Sequence, residues 1–298
     1  MDKGSRSVHV VIVNYNSAEL VRKCILSLKN ENCDSIIVYD NCSDLSDVMV
    51  ARRLECLDSR VNVIQGRENR GFGDGVNAAI SHIAFADNDL LWTLNPDTEV
   101  MPGSAKALID VIDRGVADIV SPLILDYNDR VWFAGGDIDV LQGRSVHISM
   151  GEPRSRVVTS TSSVTFMTGA APMFSGSAWR RLGGYRDDLF MYWEDVDLSL
   201  RATACGLRMG LEPSAIVKHL EGGSSGVDGG KSVLHYYYVN RNRFLVCAEH
   251  SSRFSLLFGR GFLQSVRMLL GVIAHERSGV IGKFTSAVRG QIAGYLLS

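Results

Sequence analysis

Val8-His9-Val10-Val11-Ile12-Val13-Asn14-Tyr15-Asn16-Ser17 is the stretch that decides the fold. Residues 8–13 form a run dominated by β-branched side chains, as in a strand covered on both faces. The polar residues 14–17 break it. A helix-periodic pattern follows, with Leu20, Cys24 and Leu28 at turn spacing and Asn16 with Glu19 placed as an N-terminal cap. The unit then repeats: strands over 35–39, 61–64, 90–94 and 118–121 alternate with helices over about 46–57, 74–84 and 102–114. Such alternation predicts parallel crossovers and an α/β sheet with helices on both faces. Ligands of these sheets bind beyond the carboxyl ends of the strands. Three polar clusters, 14–16, 40–43 and 95–97, fall at those ends.

The remaining sequence bounds the class of protein. The 298 residues suffice for one large α/β domain and an appendage, and 46% hydrophobic with 21% charged residues is the profile of an ordinary folded chain. A net charge of −2 gives no reason to expect nucleic-acid binding. From Ser251 onward, however, Glu276 is the single acid against Arg253, Arg260, Arg267, Arg277, Lys283 and Arg289. The six cysteines (Cys24, Cys33, Cys42, Cys56, Cys205, Cys247) show no C-x-x-C spacing and fit a reducing compartment. Residues 1–7 are polar, and no uncharged apolar run approaches the ~20 residues of a membrane span. The expected location is cytoplasmic, or peripheral on the inner face of the cell membrane.

The second half changes character, with a hairpin-rich insertion over 130–139, a small-residue segment around Thr168-Gly169-Ala170-Ala171, and a Gly/Ser stretch over 222–230 that reads as a loop. Four places can carry chemistry. In Asn95-Pro96-Asp97 a carboxylate stands on a turn after an apolar strand, where it can hold a divalent cation on a diphosphate; the triplet is equally good turn chemistry. In Trp193-Glu194-Asp195-Val196-Asp197-Leu198-Ser199-Leu200-Arg201, Asp197 and Arg201 are spaced for an i,i+4 ion pair, and Glu194 and Asp195 occupy a first helical turn. The helix dipole is expected to keep those two ionised, so that one can accept a hydroxyl proton; acidic residues at a helix start also simply stabilise helices. Asp40 can accept a base N–H. His219 ends an apolar run and gains a ligand role only beside Asp97. Asn69-Arg70-Gly71-Phe72-Gly73 follows the third strand, not the first, which excludes a dinucleotide fingerprint; Gly71 and Gly73 are expected to allow close backbone approach or an unusual turn.

In this order the motifs resemble an inverting family 2 glycosyltransferase of GT-A fold, most like the bacterial rhamnosyltransferase branch. The likeness runs from Val8 to Phe244 through V-N-Y-N (13–16), D-N-x-S (40–43), N-x-G-F-x-x-x-x-N (69–77), L-N-P-D (94–97), the M-T-G-A segment (167–170), the acidic block (190–201) and Lys218-His219. The resemblance implies a GT-A domain over 1–250, with a mostly parallel central sheet, and a basic amphipathic helical tail over 251–298. It implies donor contacts from Asn14, Asn16, Asp40, Asn69, Gly71, Asn95 and Arg241 (with Arg243 as the other candidate), and Mg²⁺ or Mn²⁺ on Asp97 and His219. Asp195 would be the base, supported by Trp193, Glu194 and Gly169. Many relatives carry Asp where Asn95 stands; an amide oxygen there lowers the charge on the cation, and the rhamnosyltransferase branch commonly shows this Asn.

The activity implied is transfer of a sugar from a nucleotide-sugar donor, first of all dTDP-rhamnose, to a glycan or lipid-linked glycan in cell-surface polysaccharide synthesis. A UDP-sugar donor and a non-catalytic glycan-binding relative are the alternatives. Pyrophosphorylases of sugar nucleotides need a Gly-rich basic loop after the first strand, which residues 14–17 do not provide. The tail suits either a membrane surface or packing on the catalytic domain or a second subunit.

Overall fold

The computed structural model describes residues 6–157, 160–220 and 230–298; most of the Gly/Ser stretch read as a loop lies outside them. The first half follows the predicted alternation: β1 (Val8–Asn14), α1 (Ala18–Ser27), β2 (Ser35–Asp40), α2 (Leu45–Arg52), β3 (Val61–Gln65), α3 (Phe72–Ser81), β4 (Leu90–Leu94), β5 (Thr98–Val100), α4 (Ser104–Asp113) and β6 (Ile119–Leu125). Then come β7 (Val131–Phe133), β8 (Gly136–Asp139), β9 (Arg144–His147), β10 (Ser162–Ser163), β11 (Met173–Ser175), α5 (Gly176–Leu182), α6 (Glu194–Ala204) and β12 (Met209–His219). Four helices close the chain: α7 (Val233–His250), α8 (Arg253–Phe258), α9 (Arg260–His275) and α10 (Val280–Leu297).

The main sheet runs β10-β12-β6-β11-β4-β1-β2-β3, with β5 on β12 and β7 on β6. Strands β4, β1, β2 and β3 are mutually parallel, as are β6 and β12. β11 enters antiparallel between β4 and β6, so the sheet is mixed in its second half. Alternate side chains of β1 explain the uninterrupted apolar run. Val8, Val10 and Ile12 join one core with α1, α2 and α4; Val11 and Val13 join the other with α3, α5 and α6.

Local departures have local causes. Asn16 does not cap α1: it adopts a left-handed φ of 51°, and its Oδ1 accepts from the Asp44 amide at 2.8 Å. The first-turn amide of Ala18 instead donates to Asp47 Oδ1 from α2 (2.9 Å), so the cap comes from across the site. The helix expected to run to 57 tightens after Arg52 into a 3₁₀ turn over Arg53–Cys56. β6 continues past the expected end at 121 through Pro122, and β12 bulges opposite it, between Glu212 and Ile216. A proline offers no ladder donor, and the Ile216 amide turns to Ser104 Oγ at 2.9 Å.

The C-terminal helices form a bundle that begins with α7. A side chain at Gly290 or Gly294 of α10 would collide with the carbonyls of Tyr237 and Arg241, so these glycines let the two helices touch along their backbones.

Candidate active site

The register Asn14↔Asp40 and Asp40↔Gln65 brings the carboxyl ends of β1, β2 and β3 level, and Ile12↔Leu94 adds β4. Just past β4 the turn Asn95-Pro96-Asp97 is closed by the Thr98 amide and hydroxyl on the Asn95 carbonyl, at 3.2 and 2.6 Å. β5 then pairs antiparallel with the end of β12, placing His219 opposite Thr98. This pairing brings together two groups far apart in sequence: His219 Nε2 lies 3.2 Å from Asp97 Oδ1 and 3.4 Å from Asn95 Nδ2. The Trp132 ring of β7 covers the imidazole at 4.4 Å, and His219 Nδ1 is buried without a partner. Among the described residues no third histidine, cysteine or carboxylate joins this pair. One carboxylate, one imidazole and one amide nevertheless make a donor set that would suit Mg²⁺ or Mn²⁺.

A second corner is built at the start of α6. Tyr192 and Trp193 both have left-handed backbones, φ 66° and 71°, a conformation that costs energy for bulky residues and persists only where the surroundings hold it. Asn242 of α7, fully buried, holds it: its Nδ2 donates to the carbonyls of Met191 and Tyr192, both at 2.9 Å. The turn presents Glu194 and Asp195. Asp195 Oδ2 accepts from the Gly169 amide at 3.3 Å, and Oδ1 from the Val196 amide at 2.8 Å. Glu194 Oε2 is buried without a partner.

Burial works against the helix dipole at both acids. Burial raises the pKa of each; repulsion from Asp195 raises Glu194 further, while the two amides and the charge of His147 only partly offset the rise at Asp195. Asp197, two residues on, is a different kind of group. It is buried and locked to Arg201 at 2.7 Å, as its spacing predicted, with Arg186 at 3.4 Å.

The segment Gly169-Ala170 joins the two corners. Gly169 donates to Asp195, and the Ala170 carbonyl accepts from the Asn95 amide at 2.9 Å. β7 and β9 supply a wall: His147 Nδ1 donates to the Trp132 carbonyl at 2.9 Å, and the two rings sit 4.9 Å apart. Sequence reading missed Trp132, His147 and Asn242. Trp132 lies in the hairpin-rich insertion read over 130–139 and His147 in the strand just beyond it, where no periodicity marks an inward side chain, and Asn242 is one polar residue in a helix of mixed character.

At the β1–β3 end the polar groups bind one another. Asn14 Nδ2 donates to Asp40 Oδ2 (2.8 Å) and Asp47 Oδ2 (2.7 Å), and its Oδ1 accepts from the Ser17 amide and hydroxyl. Asp40 Oδ1 accepts from the Ser43 amide. Asn41 Nδ2 donates to Asn69 Oδ1 and the Gly71 carbonyl, both at 2.9 Å. The close approach at Gly71, φ 92°, is to the backbone of Phe190, and a Cβ at Gly73 would meet that of Tyr185 at 2.7 Å. These two glycines therefore serve contacts within the chain. Asn77 pairs with both backbone groups of Tyr185, at 2.8 and 2.9 Å.

The two arginine candidates separate. Arg243 is wholly buried, donating to the carbonyls of Gly143, Gln142 and Gly261 and to Ser265 Oγ, and burial pushes its pKa down to about 10. It is thereby removed as a phosphate contact. Arg241 remains half-buried on the Asp188 carbonyl (2.9 Å) and Asn242 Oδ1 (2.7 Å).

Against known proteins, a family model for glycosyl transferase family 2 matches residues 9–183. The N-acetylglucosaminyl-diphospho-decaprenol L-rhamnosyltransferase of Mycobacterium tuberculosis is 29% identical over 82% of this chain and 84% of its own length. Rhamnosyltransferase WbbL of Escherichia coli is 25% identical over 70% of this chain and 81% of its own. The crystal structure of GalNAc-T7 with UDP, GalNAc and Mn²⁺ superposes with a TM-score of 0.64 at 16% identity; the match covers 95% of this chain and about half, 54%, of that one. The GT-A fold expected from the motifs is thus the fold observed, with the helical appendage in place.

Proposed function

Because this chain belongs to glycosyl transferase family 2, we propose that it transfers a sugar, first of all rhamnose from dTDP-rhamnose, to a lipid-linked glycan acceptor with inversion at the transferred carbon. The reading places the reaction on the cytoplasmic side, in cell-surface polysaccharide synthesis. The observation that carries it is the convergence of Asp97 with His219 on one side of Gly169-Ala170 and Asp195 on the other. The names of the mycobacterial and Escherichia coli relatives favour rhamnose and a lipid diphosphate acceptor.

In the proposed step the acceptor oxygen attacks the anomeric carbon while the bond from that carbon to the diphosphate oxygen breaks, the electron pair leaving with the nucleoside diphosphate. The acceptor proton passes to Asp195. A divalent cation on Asp97 and His219 would supply charge neutralisation for the departing diphosphate. The Gly169 amide keeps one Asp195 oxygen aimed, and the clamped turn at Tyr192 and Trp193 fixes where the helix begins. Asn14, Asn16, Asp40, Asn69 and Gly71 form the nucleoside end of this reading, with Asn95 and Arg241 toward the phosphates and Trp193 and Glu194 behind the base. Asn14 acts there by holding Asp40 in place, since both ends of its amide are already bonded.

A panel of nucleotide sugars tests the reading. With Mn²⁺ present, dTDP-rhamnose should raise the melting temperature and support transfer to a polyprenyl-diphosphate sugar. A response to a UDP-sugar alone overturns the rhamnose assignment, and no transfer or hydrolysis from any donor overturns the enzymatic one.

A further inference from the structure

We propose that the outward faces of α8, α9 and α10 seat on an anionic lipid bilayer. A soluble helix turns its apolar stripe inward; these helices bury Leu256, Val272 and Ala287 but turn many of their large apolar side chains outward. On α9 the buried positions include Gly261 and Ser265, while Phe262, Leu263, Leu270 and Ile273 are 51–59% exposed. On α10 the inward residues include Ser286, Ala287, Gly290 and Gly294, and the outward ones Ile281, Ile292 and Leu296, at 82, 55 and 73%. At α8 the rings of Phe254 and Phe258 pair at 4.9 Å and stand 70 and 71% in the open. Scattered exposed apolar residues need no account, but their concentration on three consecutive helices, α9 packing on both α8 and α10, does.

The charges choose the occupant. Arg253, Arg260, Arg267, Arg277 and Arg289 are all exposed, and none joins an ion pair among the described residues. The tail's single acid, Glu276, is engaged by Lys283 and by the Tyr236 hydroxyl at 2.8 Å. A two-fold contact between copies through this face would press arginines against arginines. An anionic surface takes both components at once, with aromatic and aliphatic side chains entering the headgroup boundary and guanidinium groups meeting phosphate. Among the described residues no helix is long and apolar enough to cross a membrane, so the face lies on the bilayer. α7, against which α10 packs, also carries Asn242 of the acidic turn; the seated surface and the proposed base therefore share one support.

This inference does not depend on donor or mechanism. It is tested by co-sedimenting the full chain with vesicles of phosphatidylcholine alone and of phosphatidylcholine mixed with phosphatidylglycerol. Pelleting is expected with the mixed vesicles only, falling at least about tenfold in high salt and in the Phe254→Ser/Phe258→Ser and Arg253→Gln/Arg260→Gln/Arg267→Gln variants. Equal pelleting with neutral vesicles, or none with either, overturns the proposal. So does a dimer in sedimentation velocity that the Phe variant dissociates while vesicles capture neither protein. The comparison of lipid compositions uses the unaltered chain and holds even if a variant fails to fold. An Asp195→Asn chain that still pelleted would separate this surface from the catalytic reading.

Discussion

The β1–β3 end of the site and the corner formed by α6, β12 and β7 differ in how their buried polar atoms are satisfied. At the first, Asn14, Asp40, Asn41 and Asn69 bond one another, and Asn77 binds the Tyr185 backbone. At the second, Glu194 Oε2, His219 Nδ1 and Trp132 Nε1 are buried with no partner at all. A folded chain leaves buried polar atoms unpaired at a cost of about 1–3 kcal/mol each, which a bound substrate or water at this corner would relieve. Motif residues thus divide into those that hold the cleft's shape and those that face its contents. Proximity to a strand end does not separate the two kinds; for the amide side chains of Asn14, Asn41 and Asn77, hydrogen bonds completed within the chain mark the first.

The largest effect at the second corner should come from Asp195→Asn. The change keeps size and shape but removes the proton acceptor, and kcat should fall on the order of 10³-fold while nucleoside diphosphate affinity, measured calorimetrically with Mn²⁺, stays put. Near-normal kcat would erase the distinction. The unaltered enzyme should also show its base in a pH profile. Burial raises the Asp195 pKa, and the base works only when ionised. Activity should therefore drop as pH falls through a value above the ordinary aspartate range, and this acid limb should vanish from the residual rate of Asp195→Asn.

Next in size is Asp97→Asn. With one carboxylate fewer beside His219, the Mn²⁺ concentration for half-maximal activity should rise by roughly 10²-fold and chelator sensitivity should increase. An unchanged metal requirement would move the cation away from Asp97 and the Nε2 of His219.

What the sequence disclosed follows the range of the forces involved. β1 to β4 were legible because a β-branched run or an apolar pentad is a local property, and the Asp197–Arg201 pair because helix geometry fixes i,i+4 spacing. The meeting of Asp97 with His219 depends on β5 pairing with β12, a long-range event that no spacing reveals; only the family resemblance anticipated it. The upward push on the pKa of Glu194 and Asp195 was not legible because the dipole is visible in sequence and desolvation is not. The cap from Asp47 to Ala18, the removal of Arg243 from the site, and the clash that glycine avoids at Gly71 all come from segments that meet only after folding. The tail read as amphipathic without a direction. Which face turns outward is set by the packing of Gly290 and Gly294 of α10 against α7, small residues that carry little hydrophobic signal of their own.

The smallest effect on rate should come from Asn77, and it bears on the comparison from the scaffold side. Asn77 sits inside the N-x-G-F-x-x-x-x-N signature, where a reading by motif alone would assign it to the donor. Its amide instead closes a two-bond pair with the Tyr185 backbone, tying α3 to the segment that leads to the acidic turn. Asn77→Ala leaves the amide and the carbonyl of Tyr185 without those partners, a loss of about 2 kcal/mol. For a chain of this size that lowers the melting temperature by several degrees. The kcat of the folded fraction should remain within about twofold of the parent. The opposite pattern, an unshifted melting curve with a large loss of kcat, would mean that completed hydrogen bonds do not mark scaffold residues here and that Asn77 faces the substrate after all.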